Sequence, residues 1–405
     1  MMNNYVDLKQ VIWVASRPPI PPFTGITLKT LSGVSALVKR YSVQIVTFVH
    51  PSEMKEVSST FSSYWQPYNQ VQLNLASIGA KSSALESMLR HRFQFGLGLE
   101  RSDINEVLQT LKWDSPDKLV LFDDIVLAPL LKRYGCNALI SPHDCISEMF
   151  RSHYRMAPFG KGKAKLFTQY RIARSYESHL YQSALLTHLV TQRDRVLLEH
   201  INPHARYHVV PNQIPDTPNY IVRSSESWDI LIWADLTIPA IASSVRQCLE
   251  MLRPYAQNTL RILLVGRAPI EESSAILSRD TLSHFDYSRF IEDDNGAARG
   301  ARVVLVPDIG GAGIKNRCLS ILASGQCLAC LYSQMEGIEK AADIGAINAF
   351  SLSDLIPKIL RTLEANAEIP IAKLGQRICC DLFSTKTIEQ EWQQMLERAQ
   401  VVKFA

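Results

Sequence analysis

The chain has 405 residues, 46% of them hydrophobic and 20% charged, with a formal net charge of +4. That length exceeds one typical core, so two domains are expected, and the modest charge gives no reason to expect a nucleic-acid partner. No apolar run approaches the roughly 18 residues of a membrane span, and residues 11–15 lack the basic leader of a signal peptide, so a cytoplasmic chain is expected. In chain order, short apolar runs at 11–15, 42–49, 118–122 and 138–141 read as strands. Between the first two, residues 27–40 read as a helix, with Leu28, Leu31, Val34, Leu37 and Val38 on one face. Strands alternating with helices predict an α/β domain with a parallel sheet covered on both sides.

Residues 209–218, VVPNQIPDTP, interrupt this pattern, and the boundary is expected at about 215–227. Alternation resumes with strands at 230–233, 261–265 and 303–306. Pro307-Asp308 ends the last of these, and Gly310, Gly311 and Gly313 then allow a tight turn into a helix near Ile314. Such a helix N-terminus offers free N–H groups and a positive dipole end to a phosphate, and Lys315 and Arg317 add mobile positive charge there. An ordinary strand-to-helix connection uses glycines in the same way, so the loop alone supports both readings. A strand at 327–332 and a turn at Glu336-Gly337 follow.

Cys327 and Cys330 form a C-x-x-C, but inside that strand and with no second pair at ligand spacing, so buried free thiols are expected. Residues 387–398 predict an amphipathic helix with a capping box at Thr387 and Gln390 and an apolar face of Ile388, Trp392, Met395 and Leu396. The expected layout is an N-terminal domain over 1–218, a second over 226–384, and a terminal helix at 385–405 returning to the first.

Ligands of open α/β sheets bind outside the carboxyl ends of the strands. Two such domains facing a central cleft would bring three loops to it: the one after 11–15, the one after 138–141, and the glycine turn. In the first loop, Gly25 permits close backbone approach to a substrate, or simply completes a proline-stiffened surface loop. In the second, His143 beside Asp144 is either a contact for a sugar hydroxyl or a structural histidine. Residues 151–176 carry seven Lys or Arg, no acid, and interleaved Tyr154, Phe159, Phe167 and Tyr170. That segment suits an anionic membrane surface or forms a solvated face. No serine-nucleophile elbow, Walker A loop, H-E-x-x-H or dinucleotide fingerprint is present.

Several ordered stretches resemble the glycosyltransferases of family four, which have the GT-B fold of two Rossmann-like domains. They are the loop with Gly25; RSYESHLYQSALLTHLVTQRDRVLLE, whose Thr191 and Asp194 occupy a "Ser-x-x-Asp" turn; VVPNQI; ILIWADL; ILLVGRAP; and VPDIGGAGIKNRCLSILASG followed by MEGI. The resemblance implies retaining, metal-independent transfer from a UDP- or GDP-linked sugar to a saccharide, lipid-linked or protein acceptor, with no cofactor. It implies that the Gly311, Gly313 and Ile314 backbone holds the donor diphosphate, with Lys315 compensating charge as the nucleotide leaves. Arg267, Arg317, Ser320, Glu336 and Gly337 would complete the donor site. His143 would lie near the transferred sugar, with Gly25 and Asp144 on the acceptor side. The chain departs from the family pattern at Ala312 and Ser320, where two glutamates usually stand, and at Ala234-Asp235, where glycine and a basic residue are usual. Those departures leave a second reading, a non-catalytic relative serving as a binding or assembly subunit.

Overall fold

The structure is a computed structural model that describes residues 7–21, 25–78, 103–157, 159–214, 228–256, 259–266, 285–288, 300–308 and 313–404. Two compact units divide the chain: Met1–Asn212 with Ile388–Ala405, and Gln213–Thr387. The expected boundary at 215–227 lies outside the described residues.

In the first unit, β1 (Gln10–Ala15), β2 (Ser42–Val49), β3 (Val71–Ser77), β4 (Lys118–Asp123), β5 (Ala138–His143), β6 (Leu186–Leu189) and β7 (Tyr207–Val209) form one sheet. Its order is β3-β2-β1-β4-β5-β6-β7, and every pairing is parallel. Alternate residues feed two cores. Ile12, Val14, Val120 and Phe122 enter one, while Val11, Trp13, Leu119 and Leu121 enter the other. Burial on both faces is why these strands read as continuous apolar runs.

The last helix, Thr385–Phe404, closes the second of these cores. Ile388, Trp392, Met395 and Leu396 are buried there, and the Trp392 ring stands 5.5 Å from that of Trp13. Gly33 makes room for them, since a Cβ at that position would fall 2.2 Å from the Trp13 ring and 3.0 Å from Trp392. The helix begins two residues before the expected capping box. Ser384 Oγ accepts from the Thr387 amide at 3.4 Å, and the Thr387 hydroxyl donates to the Asp381 carbonyl instead of capping. The first helix is Gly25–Leu37, shorter than the expected 27–40, because the amides of Arg40 and Tyr41 both turn back to the Leu37 carbonyl.

The second unit repeats the plan. Its strands are β8 (Trp228–Trp233), β9 (Ile262–Val265), β10 (Asp286–Ser288), β11 (Ala301–Val306), β12 (Cys327–Leu331) and β13 (Ala346–Ala349). They form a parallel sheet in the order β10-β9-β8-β11-β12-β13. Cys327 and Cys330 are free thiols buried within β12, and of the eight cysteines only Cys136 is exposed. In both sheets the strand order reverses between two central neighbours, β1 and β4 in one, β8 and β11 in the other. The crevice outside the carboxyl ends of such a pair is where α/β sheets bind ligands.

Candidate functional site

At the β1/β4 reversal the first unit holds a buried polar network centred on Asp123, the last residue of β4. Asp123 Oδ2 accepts from Trp13 Nε1 at 2.9 Å and from Thr30 Oγ1 at 2.5 Å. Lys29 Nζ lies 3.8 Å from Oδ1, and its side chain is 3% exposed. Lys29 and Thr30 come from the opening turns of the Gly25–Leu37 helix, so the segment after β1 delivers a cation and a hydroxyl directly to the end of β4. A carboxylate that gathers several donors is stabilised as an anion. Burial pushes the Asp123 carboxyl up, and Lys29, Thr30 and Trp13 pull it back. Burial likewise pushes the Lys29 ammonium down to about 8, against the attraction of Asp123, Asp144 and Asp124.

The network has a defined proton order. His188 Nε2 lies 3.0 Å from the Val210 carbonyl, which only accepts, so Nε2 carries the proton and Nδ1 is an acceptor. Ser141 Oγ, 2.9 Å from Nδ1, therefore donates to His188 and accepts from Lys29 Nζ. The His188 ring also packs 4.6 Å from Trp392, which ties the terminal helix to this chain of donors.

His143 stands at the surface of the network. It closes β5, two residues beyond the expected strand end, with φ 77°, a left-handed value uncommon for a side chain of this kind. Its Nε2 is 3.3 Å from Asp123 Oδ1, and the side chain remains 12% exposed. Burial and the Lys29 ammonium hold its imidazole well below the usual range, so it is neutral at neutral pH. Asp124 has φ 138° and accepts from Ser16 Oγ at 2.7 Å. Uncommon backbone angles at the neighbouring carboxyl ends of the paired strands β4 and β5 are a feature of functional sites.

The loop after His143 is clamped from behind. The Cys145 amide donates to Asp194 Oδ1 at 3.0 Å, and the Ser147 amide to Glu177 Oε1 at 2.9 Å. These are orphan donors at the start of the Ile146–Met156 helix. Thr191 Oγ1 donates to Asp194 Oδ2 at 2.5 Å and fixes the clamp. Burial pushes the Glu177 carboxyl up to about 7. The glutamate-bearing helix and the Thr191–Asp194 turn thus set the backbone beside His143 and Asp144. Asp144 is half-buried, and Gly25 opens its helix.

In the second unit the β8/β11 reversal is bounded by Trp233, Asp308 and the segment Gly313–Arg317. Gly311 and Arg267, expected to bind a donor, lie outside the described residues. Gly313 has φ 71°, Ile314 is buried, and Lys315 occupies the N-cap of the Asn316–Ala323 helix in extended conformation. The helix therefore starts two residues later than expected. Arg317 is not the mobile charge anticipated. Its Nη1 donates to the Trp233 carbonyl at 2.9 Å, and Nη2 pairs with Asp308 at 3.6 Å. Burial pushes the Asp308 carboxyl up, offset by Arg317 and Lys315. Asp235 Oδ1 accepts from the Thr237 amide at 3.1 Å and from its hydroxyl at 2.6 Å. Ser320 is partly buried within the helix. Glu336, 9% exposed, and Gly337, φ 78°, lie beyond β12, with the Gly337 amide on Glu339 Oε1. Among the described residues no group of three or more His, Cys, Asp and Glu is placed to hold a metal ion.

No protein-family model matches the sequence, and no curated protein resembles it significantly. Solved structures do resemble it over nearly its whole length. S. aureus TarM superposes with a TM-score of 0.73 at 10% identity, covering 97% of this chain and 99% of that one. Sucrose-phosphate synthase from Thermosynechococcus elongatus gives 0.69 at 12% identity, over 96% and 98% of the two chains. Anabaena HepE in complex with UDP-glucose gives 0.65 at 12% identity, over 96% and 99%. The chain has the GT-B fold. The resemblance read from the ordered motifs is thereby met at the level of architecture, including the return of the terminal helix to the first unit.

In this GT-B protein Gly313 and Lys315 lie at the reversal point of the second sheet, and His143 at that of the first. Sequence reasoning did not find Lys29, Asp123, Ser141 or His188. The one local signal was the Asp123-Asp124 doublet that ends an apolar strand.

Proposed function

We propose that the chain is a glycosyltransferase, moving a sugar from a UDP- or GDP-linked donor to a saccharide, lipid-linked or protein acceptor, with retention and without a metal. The observation that carries this reading is the Gly313–Lys315 entry to the Asn316–Ala323 helix, at the strand-order reversal of a GT-B donor-type sheet. The positive dipole end of a helix at that point suits a diphosphate, and Lys315 offsets the charge that develops as it departs. The two acids nearby do not oppose this. Asp308 is neutralised by Arg317, and Asp235 is turned into its own loop by Thr237.

In the first unit His143 acts as a neutral hydrogen-bonding group toward the transferred sugar, because a group held so far below its usual range does not serve as a general acid at neutral pH. Retaining transfer of this class asks for no strong protein base, and the residues present supply positioning and electrostatics. Anabaena HepE, of the same fold, was solved with UDP-glucose.

Calorimetric titration with UDP, GDP and their sugars tests the reading. One nucleotide series binds, and Lys315→Ala weakens it about tenfold or more, the worth of a charge-assisted contact. Absence of binding by all of them at millimolar concentration would overturn the transferase reading, and unchanged affinity in the variant would overturn the site.

The proposal extends to peripheral attachment at an anionic membrane through 151–174. The Ile146–Met156 and Lys161–His179 helices form this face, with Phe159 98% exposed and Lys163 Nζ 4.9 Å from its ring centre. No described helix is long and apolar enough to cross a membrane. Co-sedimentation with phosphatidylserine vesicles should fall with salt and on replacing Lys161, Lys163 and Lys165 by glutamine. A signal indifferent to both excludes this surface.

A further inference from the structure

β12 and β13 end side by side, with Leu331 paired to Ala349, and each strand passes directly into an aromatic residue, Tyr332 and Phe350. The two rings stack, 4.4 Å between centroids and 24° between planes. Stacking covers one face of Phe350, yet the residue is 85% exposed. The pair floors an open recess of about 380 Å³, whose rim includes Ser353, Asp354, Lys358 and Arg361. Lys358 Nζ is committed to the Asn348 carbonyl at 2.8 Å. One oxygen of Asp354 accepts from Ser351 Oγ at 2.7 Å. The Tyr332 hydroxyl and the Arg361 guanidinium have no hydrogen-bond partner among the described residues.

We propose that this recess binds a neutral saccharide, with one pyranose ring lying on the open face of Phe350. A pyranose presents C–H groups on its flat side, and these meet the negative face of an aromatic ring favourably. Its hydroxyls require donors and acceptors around the rim, and Tyr332, Arg361 and Asp354 supply both. The mixed-sign rim favours a hydroxyl-rich neutral ligand over a phosphate-bearing one. The rim carries both signs, Asp354 against Lys358 and Arg361, and Lys358 Nζ is spent on the Asn348 carbonyl, so Arg361 faces any phosphate with a carboxylate beside it rather than in a cluster of cations. Two exposed rings in a small concavity also fall short of the wide apolar area that a stable protein interface requires. The recess volume lies in the range of small-ligand sites. Its lining shares no residue with Gly313–Arg317, Glu336 or Gly337, so saccharide binding here is separable from nucleotide binding there.

The test is titration of the full chain, without nucleotide, with neutral gluco-, galacto- and manno-oligosaccharides, followed by calorimetry and protein NMR. At least one series binds at millimolar concentration or tighter, and Phe350→Ala weakens it about tenfold or more, as loss of an aromatic stacking partner should. Phe350 is mostly in solvent, so the variant folds, and its affinity for UDP stays that of the wild type. No binding by any series, unchanged affinity in Phe350→Ala, or displacement of the saccharide by UDP overturns the inference. Saccharide binding without any nucleotide binding overturns the transferase reading and leaves this one standing. Nucleotide binding without saccharide binding does the reverse.

Discussion

Asp123→Ala lowers unfolding stability by about 3–5 kcal/mol, the cost of removing one partner from a buried ion pair. The substitution leaves the Lys29 ammonium, 3% exposed, without its nearest counter-charge, and removes the acceptor of Trp13 Nε1 and Thr30 Oγ1. Urea unfolding midpoints at constant slope provide the measurement. The double variant Asp123→Ala with Lys29→Met costs less than the sum of the single changes, because no ion is left stranded. A loss of under about 1 kcal/mol for Asp123→Ala would mean that the pair supports nothing.

The same pair makes stability depend on alkaline pH, with a sign fixed by the direction of the shift. Lys29 ionises near 10.5 in the unfolded chain and at about 8 when folded. Between these values the folded state binds fewer protons, so stability rises with pH; from pH 8 to 10 the gain is about 2 kcal/mol. Below pH 8 this contribution is flat. The buried Tyr181 hydroxyl, pushed far above its usual range, works in the opposite direction at higher pH. Its effect is common to wild type and Lys29→Met, so the difference between the two isolates Lys29. If that difference is constant across the window, Lys29 is not held down by burial.

Lys29 and Asp123 also mark the limit of what one-dimensional reading provides. The strands were legible because parallel strands buried on both faces are unbroken apolar runs, and the observed β1, β4 and β11 each include the run read from the sequence. The terminal helix was legible from its 3.6-residue apolar stripe, although its cap was not. Ser384 and Thr387 both offer hydroxyls, and only the path of the chain decides which one meets the free amide. His143 was legible because it follows a strand. Lys29 was not, since a lysine among Leu28 and Leu31 reads as the solvent side of a helix. Its partners Ser141 and Asp123 lie 112 and 94 residues away in the chain, and nothing local links them. Arg317 shows the converse. Its position beside a glycine turn suggested a ligand-seeking charge, but the carboxylate of Asp308 and the carbonyl of Trp233 had the prior claim.

Trp392→Ala produces the second large effect, a loss of about 3–5 kcal/mol from removing a buried aromatic whose surroundings collapse only in part. Trp392 is 2% exposed and touches two groups of different kind, the Trp13 ring at 5.5 Å and the His188 ring at 4.6 Å. Gly33 packs so tightly beneath both tryptophans that the backbone there cannot fill the vacated space without distortion of the Gly25–Leu37 helix. The same helix carries Lys29 and Thr30, so the damage does not stop at the core. His188 would gain room to turn from Ser141, and Ser141 would then lose the acceptor that orders its contact with Lys29. Thermal or urea unfolding measures the stability loss, and NMR of the His188 imidazole reads the network separately. Trp392→Phe, which keeps a ring against Trp13, should recover most of the stability. A Trp392→Ala protein with wild-type stability and an unshifted His188 signal would show that the terminal helix is a passive cover, with no part in holding the Asp123 network in place.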